Sequence, residues 1–267
     1  FFHRNIFEYK LSSQSPVTHS GFPDYGHNMP LKKNIKRDSR AGGPTIATSV
    51  YDRLRADIII GSLEPGHRLG TDQLRGRYDV GISPVREALN RLLAEKLVCF
   101  EDQKGFHVAG IGEEDLYDLI RMRCWAEEIA LRESIAQSTP EWEESIIVAY
   151  HRLSRTPRSA QSEKFEFNPE WEVLHREFHT AFLANCGSPR LLAHCHLLAD
   201  QSKRYRHLAA SISYPTRTER DEHKTLMEMA LSGDVEAAVE AHHAHLRMTL
   251  EIIIGSGSSL PTGKIAV

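Results

Sequence analysis

The sequence predicts a mainly α protein in two parts, an N-terminal three-helix unit closed by a small β-hairpin and a C-terminal antiparallel bundle made wholly of helices. Three observations predict it. A sharply marked short helix occupies residues 83–93, two short apolar stretches flank a polar Gly-bearing turn within 98–109, and from Gly112 onward helical patterns follow one another with no alternating strand pattern between them.

The composition is that of an ordinary globular protein. The 267 residues suffice for one to two domains with a sizeable core, and 40% hydrophobic with 26% charged residues is typical. The longest apolar runs, Ile58-Ile59-Ile60 and Ile252-Ile253-Ile254, fall far short of the roughly 18 to 20 residues of a membrane span, so no membrane segment and no signal peptide are expected. Cys99, Cys124, Cys186 and Cys195 form no CxxC pair and sit inside apolar patterns, as buried free thiols of a reducing cytoplasm do. The net charge of −3 excludes a protein that coats nucleic acid nonspecifically, yet it hides a gradient. Residues 1–50 carry seven Lys and Arg against three Asp and Glu, 51–110 carry nine against nine, and 111–267 carry seventeen against twenty-four.

Residues 1–45, with the basic cluster Lys32-Lys33-Asn34-Ile35-Lys36-Arg37 and no periodicity, read as a disordered arm; the chain does not begin with Met, and the part before Met29 is expected to be non-native. From about Thr45 the pattern is helical, with Val50, Leu54 and Ile58 on one face and Gly61 ending the run. After a turn at 61–66 and the anchor Leu69, Thr71 is expected to cap a second helix carrying Leu74 and Tyr78. In the third, Ser83 is expected at the N-cap and Pro84 at the first helical position, with Val85, Leu89, Leu92 and Leu93 on the buried stripe. Arg86 and Asn90, four apart, point elsewhere together, and their side chains suit the major-groove edges of G and A. Two short helices joined by so few residues have helix-turn-helix spacing, and the hairpin Val98-Cys99-Phe100 with Phe106-His107-Val108-Ala109 makes the unit, 46–110, a winged helix-turn-helix.

Residues 111–255 read as six helices: 113–137, one opened by Pro140, a polar linker at 155–168, one opened by Pro169, one from Pro189 to about Ser211, one after Pro215-Thr216, and one after Gly233-Asp234 that ends near Gly255. The tail 256–267 reads as loose. Most of the fifteen histidines are expected to face solvent. His175 and His179 are the exception: four apart, they share a helix face as a pair of metal ligands must, alongside Trp171, Leu174, Phe178 and Phe182. Such a cluster leaves one alternative to a binding protein, a metal-dependent hydrolase-like enzyme, although Glu177 and Glu222 are the only general bases near it.

The runs "LRADIIIGSLEPGHRL", "DVGISPVREALNRLLAEKLV" and "KGFHV" resemble the winged helix of the GntR superfamily of bacterial transcription factors. "RMRCWAEE", "LHREFHTAFLANCGSPRLL", "DEHKTL" and "AHHAHL" are similar to that superfamily's FadR C-terminal domain (FCD) branch, whose all-helical domain binds an effector. The resemblance covers roughly residues 46–255. It implies a homodimeric, ligand-responsive regulator, most often a repressor, that reads a short palindrome in double-stranded DNA through Ser83, Arg86 and the wing tip Lys104-Gly105. The family commonly has Ser-Arg-Thr-Pro where this chain has Gly81-Ile82-Ser83-Pro84, so Ile82 stands in place of a DNA-facing arginine. Relatives hold a divalent metal through an Asp and a His four apart on one helix and one His from each of two later helices. Carried over, this implies His175 in place of the Asp, then His179, His223 and His245, with His242 and His243 as rivals to the last. Four imidazoles favour zinc, nickel or copper over magnesium or manganese. The resemblance also implies a small carboxylate effector that meets the metal and Arg123, with Arg204, Arg206 and Ser188 as further candidates. "EDQKGFHV" and "FHTAFLANCGS" are similar to the glutarate-responsive subgroup, which makes a short dicarboxylate the first choice.

Overall fold

The computed structural model describes residues 45–257, apart from residue 218, together with Leu260. The expected disordered arm, the non-native start and most of the tail lie outside these residues. Helix α1 (Ile46–Ile59) starts where Thr45 accepts a hydrogen bond from the Thr48 amide, and it buries Val50, Leu54 and Ile58 as their spacing requires. Helices α2 (Thr71–Tyr78) and α3 (Ile82–Ala94) follow. Strands β1 (Val98–Glu101) and β2 (Gly105–Val108) pair antiparallel, with Val98 opposite Val108 and Phe100 opposite Phe106. Bridging of Arg68 to His107 and the Leu69 amide to the Phe106 carbonyl (2.7 Å) ties the turn after α1 to the hairpin. Leu54, Val85, Leu89, Leu92, Leu97 and Val98 form a core closed to solvent.

Two helix starts differ from the sequence expectation. Gly81, not Ser83, is the N-cap of α3, and Gly70, not Thr71, that of α2; both glycines are extended and neither start has a side-chain cap bond. The first four amides of a helix lack an intrahelical partner, so Pro84 is tolerated in the third helical position as well as in the first, and the proline fixes the start only to within a turn. On α3 the buried face is Val85, Ala88, Leu89 and Leu92, with Leu93 at its half-buried edge.

Seven more helices follow among the described residues: α4 (Glu113–Ala136), α5 (Pro140–Arg155), α6 (Pro169–Leu183), α7 (Pro189–Gln201), α8 (Lys203–Ser213), α9 (Glu219–Leu231) and α10 (Val235–Gly255). Proline opens α5, α6 and α7, and Thr139, Asn168, Ser188 and Asp234 cap α5, α6, α7 and α10. Helix α10 packs on α4, α8 and α9, α5 lies across α6 and α9, and α4 rests on α7. The span read as one helix from Pro189 to Ser211 is two, broken at Ser202, whose hydroxyl donates to the Ala199 carbonyl (2.8 Å) and accepts from Arg123 (3.0 Å). The stretch read as a polar linker, 155–168, is folded on buried Ser159, which accepts from the Gln161 and Glu166 amides and donates to the Lys164 carbonyl.

The two halves meet at a buried connector. Ala109 and Ile111 are buried, Arg204 donates to the Ala109 and Gly110 carbonyls, and the Tyr205 hydroxyl accepts from the Gly112 amide (2.9 Å) while donating to Asp115 (2.6 Å).

Candidate metal centre and nucleic-acid interface

On the first half, burial of Val85, Ala88, Leu89 and Leu92 turns Ser83, Arg86 and Asn90 outward, and all three are exposed. Arg91, on the same helix, is spent inside, its guanidinium 3.7 Å from the Tyr51 ring centre. The wing tip is a tight turn: Gln103 and Gly105 have φ of 66° and 82°, the left-handed region that Gly adopts without strain. Lys104 projects into solvent and reaches Glu101 at 3.0 Å. The expected reading face and wing tip are thus presented outward, and Ile82 joins them as an exposed apolar side chain.

In the bundle, α6 supplies His175 and His179, α9 His223 and α10 His245, and one ligand nitrogen from each lies within 4.8 Å of the others. His175 and His179 nitrogens are 3.2 Å apart, and Trp171 stacks on His175 at 4.5 Å between ring centres. Burial pushes His175, His179 and His223 well below the usual histidine range, aided by neighbouring cations and one another; His245 falls to about 4 although Glu222 opposes the shift. The rings are therefore neutral at pH 7, the form that binds a metal. His179 Nδ1 and His223 Nε2 are buried without a hydrogen-bond partner, while His245 donates through Nδ1 to Glu222 (2.7 Å), which Arg217 also grips (2.7 Å). A histidine whose other nitrogen is anchored on a carboxylate is oriented as metal-ligating histidines are.

His242 is not part of the cluster, since it donates to Glu127 (2.8 Å), and His243 meets the Cys124 carbonyl (3.2 Å). The expectation that most histidines face solvent fails: among the described ones, only His67, His151 and His194 are exposed. Helix-face spacing alone cannot show that neighbouring helices close over those faces.

Arg123 is buried on Glu127 (2.7 and 3.2 Å) and Ser202 (3.0 Å). Burial pushes the Glu127 carboxyl up, but Arg123 and the His242 bond outweigh it and hold it down at about 2. Two small cavities, of about 30 and 20 Å³, touch His175 and His179 and are both lined by Arg123 and Arg206; the first also reaches Arg176, Asp200 and Lys203. Arg204 does not line either, because its guanidinium is committed to the connector carbonyls, and Ser188 is at the head of α7, accepting from the Leu191 amide (3.3 Å). Neither therefore meets the site as expected. The sequence reading missed Arg158 and Arg217. Arg158, from the folded 155–168 stretch, lies 3.9 Å above Trp171, and burial lowers its pKa to about 10.

A winged helix-turn-helix joined to a helical domain with a buried cationic pocket and a histidine cluster defines a ligand-responsive, DNA-binding transcriptional regulator. Residues 46–108 match the model of bacterial regulatory proteins of the gntR family, and residues 118–248 match the FCD domain. The transcriptional repressor GlaR of Escherichia coli K12 is 36% identical over 208 residues, 76% of this chain and 93% of its own. The regulator BphR of Paraburkholderia xenovorans LB400 is 34% identical over 209 residues, 78% and 85% of the two chains. The chain belongs to the GntR family, in its FCD branch. Solved structures of E. coli McbR/YncC (TM-score 0.64, 20% identity, 81% of this chain and 100% of that one) and of a GntR regulator from Rhodococcus sp. RHA1 (TM-score 0.62, 21%, 79% and 98%) share the fold. These relatives are regulators, and nothing in them supports the hydrolase alternative.

Proposed function

We propose that this protein is a cytoplasmic, homodimeric repressor that reads a short palindrome and leaves it when a small carboxylate, a short dicarboxylate first among them, binds beside a metal in the helical domain. The observation that carries this reading is the convergence of four neutral imidazoles, three buried and His179 half-buried, next to Arg123 and Arg206. His175, His179, His223 and His245 would hold the ion, the unpartnered His179 Nδ1 and His223 Nε2 supporting the fit, and an all-imidazole set favours zinc or nickel. When bound, the metal supplies a Lewis-acidic position for a carboxylate oxygen. Arg206, on Glu172, and Arg123, on Glu127 and Ser202, orient the remaining acid oxygens.

The same cavity suggests how DNA affinity responds. Asp200 lines it, is paired with Arg176 and Lys203 (2.8 Å), and reaches Arg55 on α1 (3.2 Å), which also holds Glu95 (3.2 Å). An acid that recruits Arg176 and Lys203 changes what Asp200 offers to Arg55. Repressor polarity follows the name of GlaR, and the dimer rests on an exposed apolar stripe of α4, where Tyr117, Trp125 and Ile129 are 43%, 54% and 55% exposed. Ser83, Arg86, Asn90, Lys104 and Gly105 are the DNA contacts of this reading.

Thermal shift with a panel of organic acids, with and without chelator, tests it together with binding to the protein's own promoter DNA. A short dicarboxylate should stabilise the metal-loaded protein, lose that effect on chelation, and lower DNA affinity. Stabilisation by no acid, or acid consumption, would overturn the reading.

A further inference from the structure

Beyond the metal-facing cavities, a third and much larger one of about 470 Å³ opens between α5, α9 and the folded 155–168 stretch. Trp171 and His223 line it, so it lies against the outer side of the histidine cluster. Its charge is lopsided: Arg155, Arg158, Arg217 and Arg220 line it against Glu219 and Asp221. Arg158 is the unusual member. Its side chain is only 9% exposed, one nitrogen meets Glu172 at 3.3 Å, and Nε stands 3.6 Å from Glu219, beyond hydrogen-bond reach. Nε and Nη2 have no hydrogen-bond partner. Burying a guanidinium with unmet donors is costly, and an anion in the cavity would relieve that cost with charge-assisted bonds.

We propose that this cavity is a second ligand site, for an organic acid with a flat or apolar body, whose carboxylates meet Arg158 and the rim arginines Arg155 and Arg220 while its body lies along Tyr150 and Tyr214. Lining separates the two sites: His175 and His179 line the inner cavities, whereas Arg155, Arg158 and Arg220 line only the outer one, which at about 470 Å³ takes a rigid planar diacid. The outer site also has a way to speak to the inner one: Arg217 lines it and grips Glu222, which holds His245. Whatever factor a bound acid imposes on metal affinity, the metal imposes on the acid in return.

Phthalate, a planar dicarboxylate, is the probe. Calorimetric titration into the full chain should show one phthalate per protomer both with zinc and after chelation. Arg158→Gln should weaken it at least tenfold, and Arg176→Gln, which alters the first inner cavity and shares no partner with Arg158, should leave it unchanged. Because Arg158 packs on Trp171, Arg155→Gln and Arg220→Gln provide the check on exposed positions, each expected to weaken binding about threefold with an unaltered melting temperature. Absence of phthalate binding, binding that vanishes on chelation, or binding indifferent to all three outer arginines would overturn the site. The metal-facing reading is scored separately, by chelator-sensitive stabilisation with a short dicarboxylate, so either can fail alone.

Discussion

Arg86 stands on the exposed start of α3 with Ile82 also exposed, so the proposed reading face would lean on few cations. A bidentate arginine–guanine contact contributes about 1 to 3 kcal/mol of discrimination. Arg86→Ala should therefore lose roughly that much specificity, whereas Lys104→Ala should weaken all sequences alike and lower the salt slope by about one. Fluorescence anisotropy at several salt concentrations measures both, and an Arg86→Ala protein that still prefers the operator would remove this residue from the reading face. At this scale the sequence was most legible where spacing alone carries the information. His175 and His179 share a face because they are four apart, and they do so whatever packs above them. His223 and His245 came only through family resemblance, since nothing local marks two histidines on separate helices as neighbours of a third. Arg204 and Ser188 were misassigned for the complementary reason: a polar side chain near a site also serves a connector or a helix cap equally well, and sequence does not say which.

Among elements, the prolines and caps made most helices of the bundle readable, and the break at Ser202 was hidden because both sides have helical patterns. At the break Ser202 meets a partner on α4, Arg123, seventy-nine residues away. Arg123 and Glu127 also tie α4 to α10 through His242, and this buried knot titrates. The folded-state pKa of Glu127 is depressed to about 2, so the stability it contributes is fully present above the ordinary glutamate range near 4.3 and is lost as pH falls toward 2. Glu127→Gln should cost about 3 kcal/mol near neutral pH, in the manner of a broken buried pair, and should flatten the acid side of the stability profile. Urea unfolding between pH 3 and 7 checks this; parallel profiles for the two proteins would remove Glu127 from the account of acid stability.

For the molecule as a whole, the proposed function rests on two couplings: one copy to another and the helical domain to DNA. Trp125→Glu on the exposed stripe of α4 should give a monomer by light scattering and weaken binding to a full palindrome far more than to a half-site. A dimer that persists would place the interface elsewhere. Asp200→Asn removes the charge shared by Arg55, Arg176 and Lys203. It should leave acid binding measurable by calorimetry while shrinking the effect of the acid on DNA affinity several-fold; an undiminished effect would mean that the signal takes another route. The linear pattern predicted two parts, but the ion pair of Arg55 with Asp200 that joins them spans more than a hundred residues and leaves no periodic trace.

Three consecutive residues of α8 give this joint its mechanical character. Successive positions on a helix are turned by about 100°, so side chains 204, 205 and 206 point in three directions from a single turn. Arg204 and Tyr205 hold the connector, and Arg206 lines the cavities beside the histidines. On the proposed reading helix α8 would act as a crankshaft: a ligand that shifted Arg206 would twist the same turn that holds the root of the wing.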